Sequence, residues 1–233
     1  RLITQPNKGK AAALNNALRH AHGDYFVVCD ADSTANPATI TNALRHFTSP
    51  RIGAVIPAIK LTTVQTAAEK VQRIEYLFSS FIRTLMSTIG TLHTTHGVLT
   101  VFRTDVLRTI KGFDENNLTE DFEIAMKLRY HNYTIAMCHD TWNYTSVPPT
   151  FRALWTQRVR WFRGFIANHL RYKTMLFKKQ YGLLSRFQIP LEFLTLIIVF
   201  VSLGLVSYHL IDSLRILAVF SLPVDEFALA AEA

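Results

Sequence analysis

Apolar positions in the first third of the chain fall into short blocks whose spacing alternates between helical and strand-like. Across residues 9–21, Leu14, Ala17, Leu18 and Ala21 share one face at helical spacing, so a helix is expected after a glycine-containing loop. Tyr25-Phe26-Val27-Val28-Cys29 is an unbroken apolar run within residues 24–32, the pattern of a strand covered on both faces. Asn36-Pro37 offers an N-cap followed by a proline suited to the first helical position, opening a helix expected to reach about Phe47. Residues 52–59 form a second β-branched run. The order helix, strand, helix, strand predicts an α/β domain with a largely parallel sheet, whose ligands gather at the carboxyl ends of strands.

Farther on, residues 63–89 carry a long helical stripe that includes Val71, Ile74, Phe78 and Leu85, expected on the sheet or at a membrane boundary. Residues 95–102 and 133–144 read as strands, with a helix over 121–130 between them. After Pro148-Pro149 the composition turns basic and aromatic, as in amphipathic interface helices. Residues 193–211 then run without Asp, Glu, Lys or Arg, about the length that spans a bilayer core of roughly 30 Å. The expected organisation is a partial catalytic domain over 1–150, basic interface helices over 151–188, and a transmembrane segment within 189–233.

The net charge of +8 is concentrated rather than spread: residues 151–188 hold nine Lys or Arg and no Asp or Glu, leaving 16 basic against 17 acidic residues elsewhere. Basic flanks of a membrane span are retained in the cytoplasm, so the catalytic part is expected there, in a cell-membrane protein that is multi-pass at full length. The adjoining span also argues against a nucleic-acid partner. Cys29 and Cys138 lie in apolar runs without ligand spacing and read as reduced core thiols. The chain starts in Arg1-Leu2-Ile3-Thr4, as though inside a strand, and reads as excised from something longer.

Three short motifs carry chemistry. Asp30-Ala31-Asp32 places two carboxylates at a strand end, where they suit a hard divalent cation that also binds phosphate oxygens; the plain alternative is a solvated turn. Thr119-Glu120-Asp121 opens a helix, either as a threonine cap with two acids complementing the dipole or with Asp121 as a general base. Gln157, Arg160 and Trp161 fall within one helical turn, so amide, guanidinium and indole converge on one place. A guanidinium suits a diphosphate and an indole offers a flat face to a sugar ring. The alternative there is a membrane-surface helix, which is the preferred reading of Trp155, Arg158 and Arg163.

Taken in order, Asn7-Lys8-Gly9-Lys10-Ala11 with Ala13-Leu14-Asn15, Asp30-Ala31-Asp32, Gly97 with Phe102-Arg103, Thr119-Glu120-Asp121 and the Q-x-x-R-W set resemble processive family 2 glycosyltransferases. These include the synthases of cellulose, hyaluronan, chitin and poly-N-acetylglucosamine. The resemblance covers about residues 1–165 and implies a GT-A fold that binds a UDP-sugar with Mg²⁺ or Mn²⁺. By motif match it implies Asp30 and Asp32 for donor and metal, Asp121 as base, Gln157 and Arg160 on the donor diphosphate, Lys8 and Lys10 near the nucleotide phosphates, and Glu120 and Trp161 toward the acceptor. The implied partners are a UDP-sugar, a polysaccharide acceptor, the bilayer, and export or accessory subunits.

Departures from the family pattern are Lys111 in place of the first glycine of G-G-F-D, Ser146 in place of a glutamate, and the lack of the opening strand, helix and base-contacting aspartate. The implied reaction is inverting transfer to a growing β-linked polysaccharide. A transferase moving one sugar to a lipid carrier, and a basic membrane-surface module without activity, are the competing readings.

Overall fold

The computed structural model describes residues 2–220, divided between one compact unit up to Gln188 and a second from Ile189 onward. In the first unit the order is α1 (Lys10–His20), β1 (Tyr25–Val28), β2 (Ser33–Ala35), α2 (Thr39–Arg45), β3 (Ile52–Leu61), α3 (Ala67–Thr88), β4 (Thr100–Arg103), α4 (Thr104–Thr109), α5 (Glu120–Tyr130), β5 (Thr134–Thr145) and α6 (Phe151–Arg171). Short helical turns follow α6, and α7 (Ile189–Phe220) belongs to the second unit.

The five strands form one sheet in the order β1-β4-β3-β5-β2. Only β3 and β5 pair in parallel; β1 with β4, β3 with β4 and β2 with β5 are antiparallel. The sheet is therefore mixed, where the helix-strand alternation predicts a largely parallel one. The cause lies in the return of the chain after α3. The Asp30 N–H donates to the Gly97 carbonyl at 2.9 Å, so the segment entering β4 begins beside the end of β1. A strand starting there runs back along β1.

As the edge strand, β1 buries Phe26 and Val28 but leaves Val27 37% exposed. The unbroken apolar run is thus not covered on both faces, a correction that extends to Cys29, which is an exposed free thiol while Cys138 is buried. Elsewhere the alternation along strands sorts residues between two layers. Phe26, Val28, Ala54, Ile56, Ile135 and Met137 face a core closed by Leu18 of α1, Leu107 of α4 and Ile124 and Leu128 of α5. Val55, Val101 and Cys138 face a smaller cluster under Ala43 of α2. Burying a side chain such as Leu107, Ile124 or Leu128, each 0% exposed, contributes about 1.5–3 kcal/mol before entropy is counted.

Helix starts follow local chemistry. Thr66 caps α3 by accepting from the Glu69 N–H at 3.2 Å, and the Glu69 carboxylate accepts from the Thr66 N–H at 2.8 Å, a reciprocal capping box. Asn36 accepts from the Ala38 N–H at 3.0 Å, which turns the chain ahead of Pro37, but α2 itself begins only at Thr39. On α3, Ala68, Ile82 and Met86 pack toward the core, whereas Ile74, Phe78 and Phe81 are more than 60% exposed, so only part of the apolar stripe lies on the sheet. In the second unit, α7 contains the charge-free run 193–211; residues Leu184–Ala218 form a helical stretch long and apolar enough to cross a membrane.

Candidate active site

Three charged side chains, Lys10, Glu120 and Asp121, line one hollow, and Asp30 pairs with Lys10 beside it. Asp30 follows β1, Lys10 is the first residue of α1, and Glu120 and Asp121 open α5. The Lys10 ammonium pairs with Asp30 and lies 2.9 Å from a Glu120 carboxylate oxygen. Lys10, Thr95, His96, Gly97, Glu120 and Asp121 line the hollow. Gly97 is what lets the groups approach: a Cβ there would overlap the Asp30 carboxylate and the Lys10 ammonium. A larger residue at 97 would require the Asp30 and Lys10 side chains to move apart.

The electrostatics of the hollow follow from this crowding. Burial opposes the Lys10 charge, but hydrogen bonds and attraction to Asp30 and Glu120 outweigh it and hold the ammonium above its ordinary pKa. For Asp121, burial raises the carboxyl pKa, the neighbouring Glu120 raises it further, and a hydrogen bond from the Phe122 N–H only partly opposes the shift. That N–H donates to Asp121 Oδ1 at 2.8 Å, and the Thr95 hydroxyl donates to the Asp121 carbonyl at 2.6 Å. Asp121 is thereby fixed in place, with a proton affinity shifted in the direction a general base uses.

Asp32 lies one turn beyond Asp30, exposed, with the Ser33 hydroxyl donating to its Oδ1 at 3.3 Å. Two carboxylates after a strand end are the hard oxygen type of donor that Mg²⁺ or Mn²⁺ takes, and in this structure the Asp30 carboxylate is paired with Lys10. Lys8 is exposed on the loop ahead of α1.

Glu120 and Asp121 are tied to the helix that bears the third motif. Thr119 makes no side-chain cap hydrogen bond, contrary to the capping reading of Thr119-Glu120-Asp121. Its hydroxyl instead accepts from Asn168 Nδ2 at 3.1 Å, while Asn117 Nδ2 donates to Asn168 Oδ1 at 2.8 Å. A Cβ on Gly164 of α6 would overlap the Thr119 side chain, and the rings of Phe122 and Phe165 stack at 5.7 Å. Gln157, Arg160 and Trp161 therefore sit on the helix that packs against the start of α5, one to two turns before that contact. Gln157 Oε1 is shielded from solvent and has no hydrogen-bond partner among the described residues, Arg160 is exposed and Trp161 half-buried. Arg158 pairs with Glu75 of α3 and lies 4.8 Å from the Trp161 ring centre. Thr95, Gly164 and Asn168 belong to no motif in the sequence, where Asn117 stands only as the start of an N-x-T sequon; the one signal is an isolated glycine inside a long basic helix.

A model of glycosyl transferase family group 2 matches residues 25–231. Poly-beta-1,6-N-acetyl-D-glucosamine synthase of Staphylococcus epidermidis is 31% identical over 160 residues, 68% of this chain and 39% of that protein. The synthase of the same name from Staphylococcus aureus strain COL is 32% identical over 167 residues, 69% of this chain and again 39% of that protein. The chain thus spans about two fifths of the length of the curated relatives it matches. Among solved structures, the mannosyltransferase PcManGT from Pyrobaculum calidifontis, in complex with GDP-Man and Mn²⁺, aligns with a TM-score of 0.55 at 26% identity, covering 71% of this chain and 44% of that one. Its architecture is the GT-A fold that the motifs imply. A family match across most of the chain makes this chain a member of glycosyl transferase family group 2.

Proposed function

We propose that the whole protein is a membrane-bound inverting glycosyltransferase that adds sugar from a UDP-sugar donor to a growing polysaccharide. The observation that carries this reading is that Lys10, Glu120 and Asp121 line one hollow with Gly97, while Asp30 pairs with Lys10 beside it. The names of the relatives make N-acetylglucosamine the first donor to try.

In this reading Asp121 takes the proton from the acceptor hydroxyl as that oxygen attacks the anomeric carbon from the face opposite the diphosphate. Glu120 orients the acceptor, and Trp161 offers it a flat apolar surface. Asp30 and Asp32 would hold a divalent cation, which when bound supplies charge compensation for the diphosphate. Arg160 and Gln157 hold the leaving diphosphate, and Lys10 exchanges its Asp30 and Glu120 partners for phosphate oxygens when donor enters. The basic residues of α6 and the turns after it keep this unit on the cytoplasmic side of a span formed by α7.

The test is incubation of membranes containing the full-length protein with a panel of radiolabelled UDP-sugars. Labelled polymer from one donor, dependent on Mg²⁺ or Mn²⁺, is the expected result. A single-sugar product extractable with lipid would replace this reading with transfer to a lipid carrier.

A further inference from the structure

On the α2 face of the sheet, apart from the acidic hollow, three side chains with different ligand chemistry share one oxygen. Cys138 of β5 is buried in the smaller core cluster with Ala43, Val55 and Val101. Its thiol donates to Asp140 Oδ1 at 2.9 Å, and the same oxygen lies 3.2 Å from His46 Nε2. The three donor atoms all lie within 4.8 Å of one another. His46 is the residue just past α2, so the group joins two elements that are far apart in the chain.

An irregularity in β5 creates the arrangement. Pairing with β3 proceeds as far as Cys138 opposite Pro57 and resumes with Trp142 opposite Ala58. Residues 139–141 therefore leave the ladder, and Asp140 comes back beside the sulfur two positions earlier. Regular strand geometry would have sent both side chains to the same face without closing them onto one another.

An imidazole nitrogen, a cysteine sulfur and a carboxylate oxygen are three of the ligand types that zinc takes. At metal bond lengths of about 2.0–2.3 Å, tetrahedral ligand atoms stand on the order of 3–4 Å apart, so the side chains need only small adjustments to surround an ion. The His46 and Asp140 side chains are 26% and 44% exposed, which leaves one side of the group open to water. Without a metal, burial together with the Asp140 carboxylate pushes the Cys138 thiol up to about 12, so an entering ion displaces that proton.

We propose that His46, Cys138 and Asp140 form a zinc-type metal site, with water as fourth ligand, that clips the end of α2 to the irregular stretch of β5. It differs in kind from the hollow at Asp30. The hollow offers hard oxygens for Mg²⁺ or Mn²⁺, whereas this group offers sulfur and nitrogen.

Cobalt(II) is the probe, because cysteine thiolate ligation produces a sulfur-to-metal charge-transfer absorption that oxygen ligands do not. The full chain in detergent is titrated in a C29S background, since Cys29 is an exposed thiol beside Asp30. The expected result is a thiolate-cobalt band that saturates near one equivalent, is displaced by Zn²⁺, and vanishes in C29S/C138S. H46Q, at a position near the surface that does not threaten folding, is expected to weaken cobalt binding at least tenfold. No thiolate-cobalt band in C29S, or unchanged affinity in H46Q, would each overturn the proposal and leave a hydrogen-bonded His-Asp-Cys tie in its place.

Discussion

The Lys10 ammonium lies 2.9 Å from a Glu120 carboxylate oxygen while pairing with Asp30, so one cation joins the start of α1, the end of β1 and the start of α5. Lys10→Met would leave Asp30, Glu120 and Asp121 facing one another without compensation. Lys10 is 38% exposed and Asp30 32%, so solvent screens the pairing and the expected loss in metal-free buffer is modest, about 1 kcal/mol. Added Mn²⁺ is expected to restore much of it. Denaturant midpoints with EDTA and with Mn²⁺ measure both effects, and a K10M midpoint equal to wild type in EDTA would contradict the assignment.

Gly164 tests the tie between α5 and α6. Glycine to alanine inside a helix normally gains about 1 kcal/mol. Here the added Cβ would overlap Thr119, so G164A is expected to reverse that sign and lose roughly 1–3 kcal/mol through overpacking. Sugar transfer should fall with it, because Thr119 and Asn168 couple α5 to the helix bearing Gln157, Arg160 and Trp161. Thermal unfolding of the variant beside wild type reads the sign directly.

Much of this was legible in the sequence because local chemistry decides it. The apolar period of α1 acts within a few residues, and so does the acidic turn after β1; the capping box at Thr66 is equally local but went unread. Strand direction was not legible, since apolar alternation is the same whichever way a strand runs; the direction of β4 is set by where Asp30 meets Gly97. Thr95, Asn117 and Asn168 were missed for a related reason. Each is an ordinary polar residue whose role comes from a partner distant in the chain, and Thr119 reads as a helix cap until Asn168 is seen to donate to it. Likewise Cys138 reads as a core thiol, because nothing in its own strand announces His46.

Lys111 marks a place where the chain departs from the family's glycine. It adopts φ 64°, followed by Gly112 at φ 63°, in the turn that ends α4. The left-handed region costs an ordinary residue about 1–2 kcal/mol, partly offset by the freedom a glycine loses on folding. Lys111→Gly is therefore expected to stabilise the chain by roughly 0.5–1 kcal/mol without changing transfer. A lower unfolding midpoint for K111G would show that the lysine side chain contributes more than its backbone costs.

Asp121 has its pKa raised by burial and by the adjacent Glu120. The native state thus binds a proton more readily than the unfolded chain, whose value lies near 3.8. Its contribution to stability is greatest at low pH and is lost as pH rises from 3.8 through the raised native value. Catalysis runs the other way, since a base must be unprotonated, so transfer is expected to rise with pH through that same native value. Asp121→Asn removes the titration, and the variant should be at least as stable as wild type at neutral pH. Urea denaturation of both proteins across pH 4–8 checks the sign: a D121N protein clearly less stable at pH 7 would contradict it.

The central claim is that Asp121 is the base, and D121N in the full-length protein tests it most directly. Asparagine keeps the size and much of the hydrogen bonding of aspartate but cannot accept the acceptor hydroxyl's proton. On one membrane preparation, polymer formation from the preferred UDP-sugar and UDP affinity in Mn²⁺ are measured together. Positioned general bases contribute about 10²–10⁴-fold to rate, so transfer is expected to fall by that factor or more while UDP affinity stays within about twofold. Transfer by D121N above about a tenth of the wild-type rate, with UDP binding unchanged, would contradict the account and reduce Asp121 to a structural residue at the start of α5.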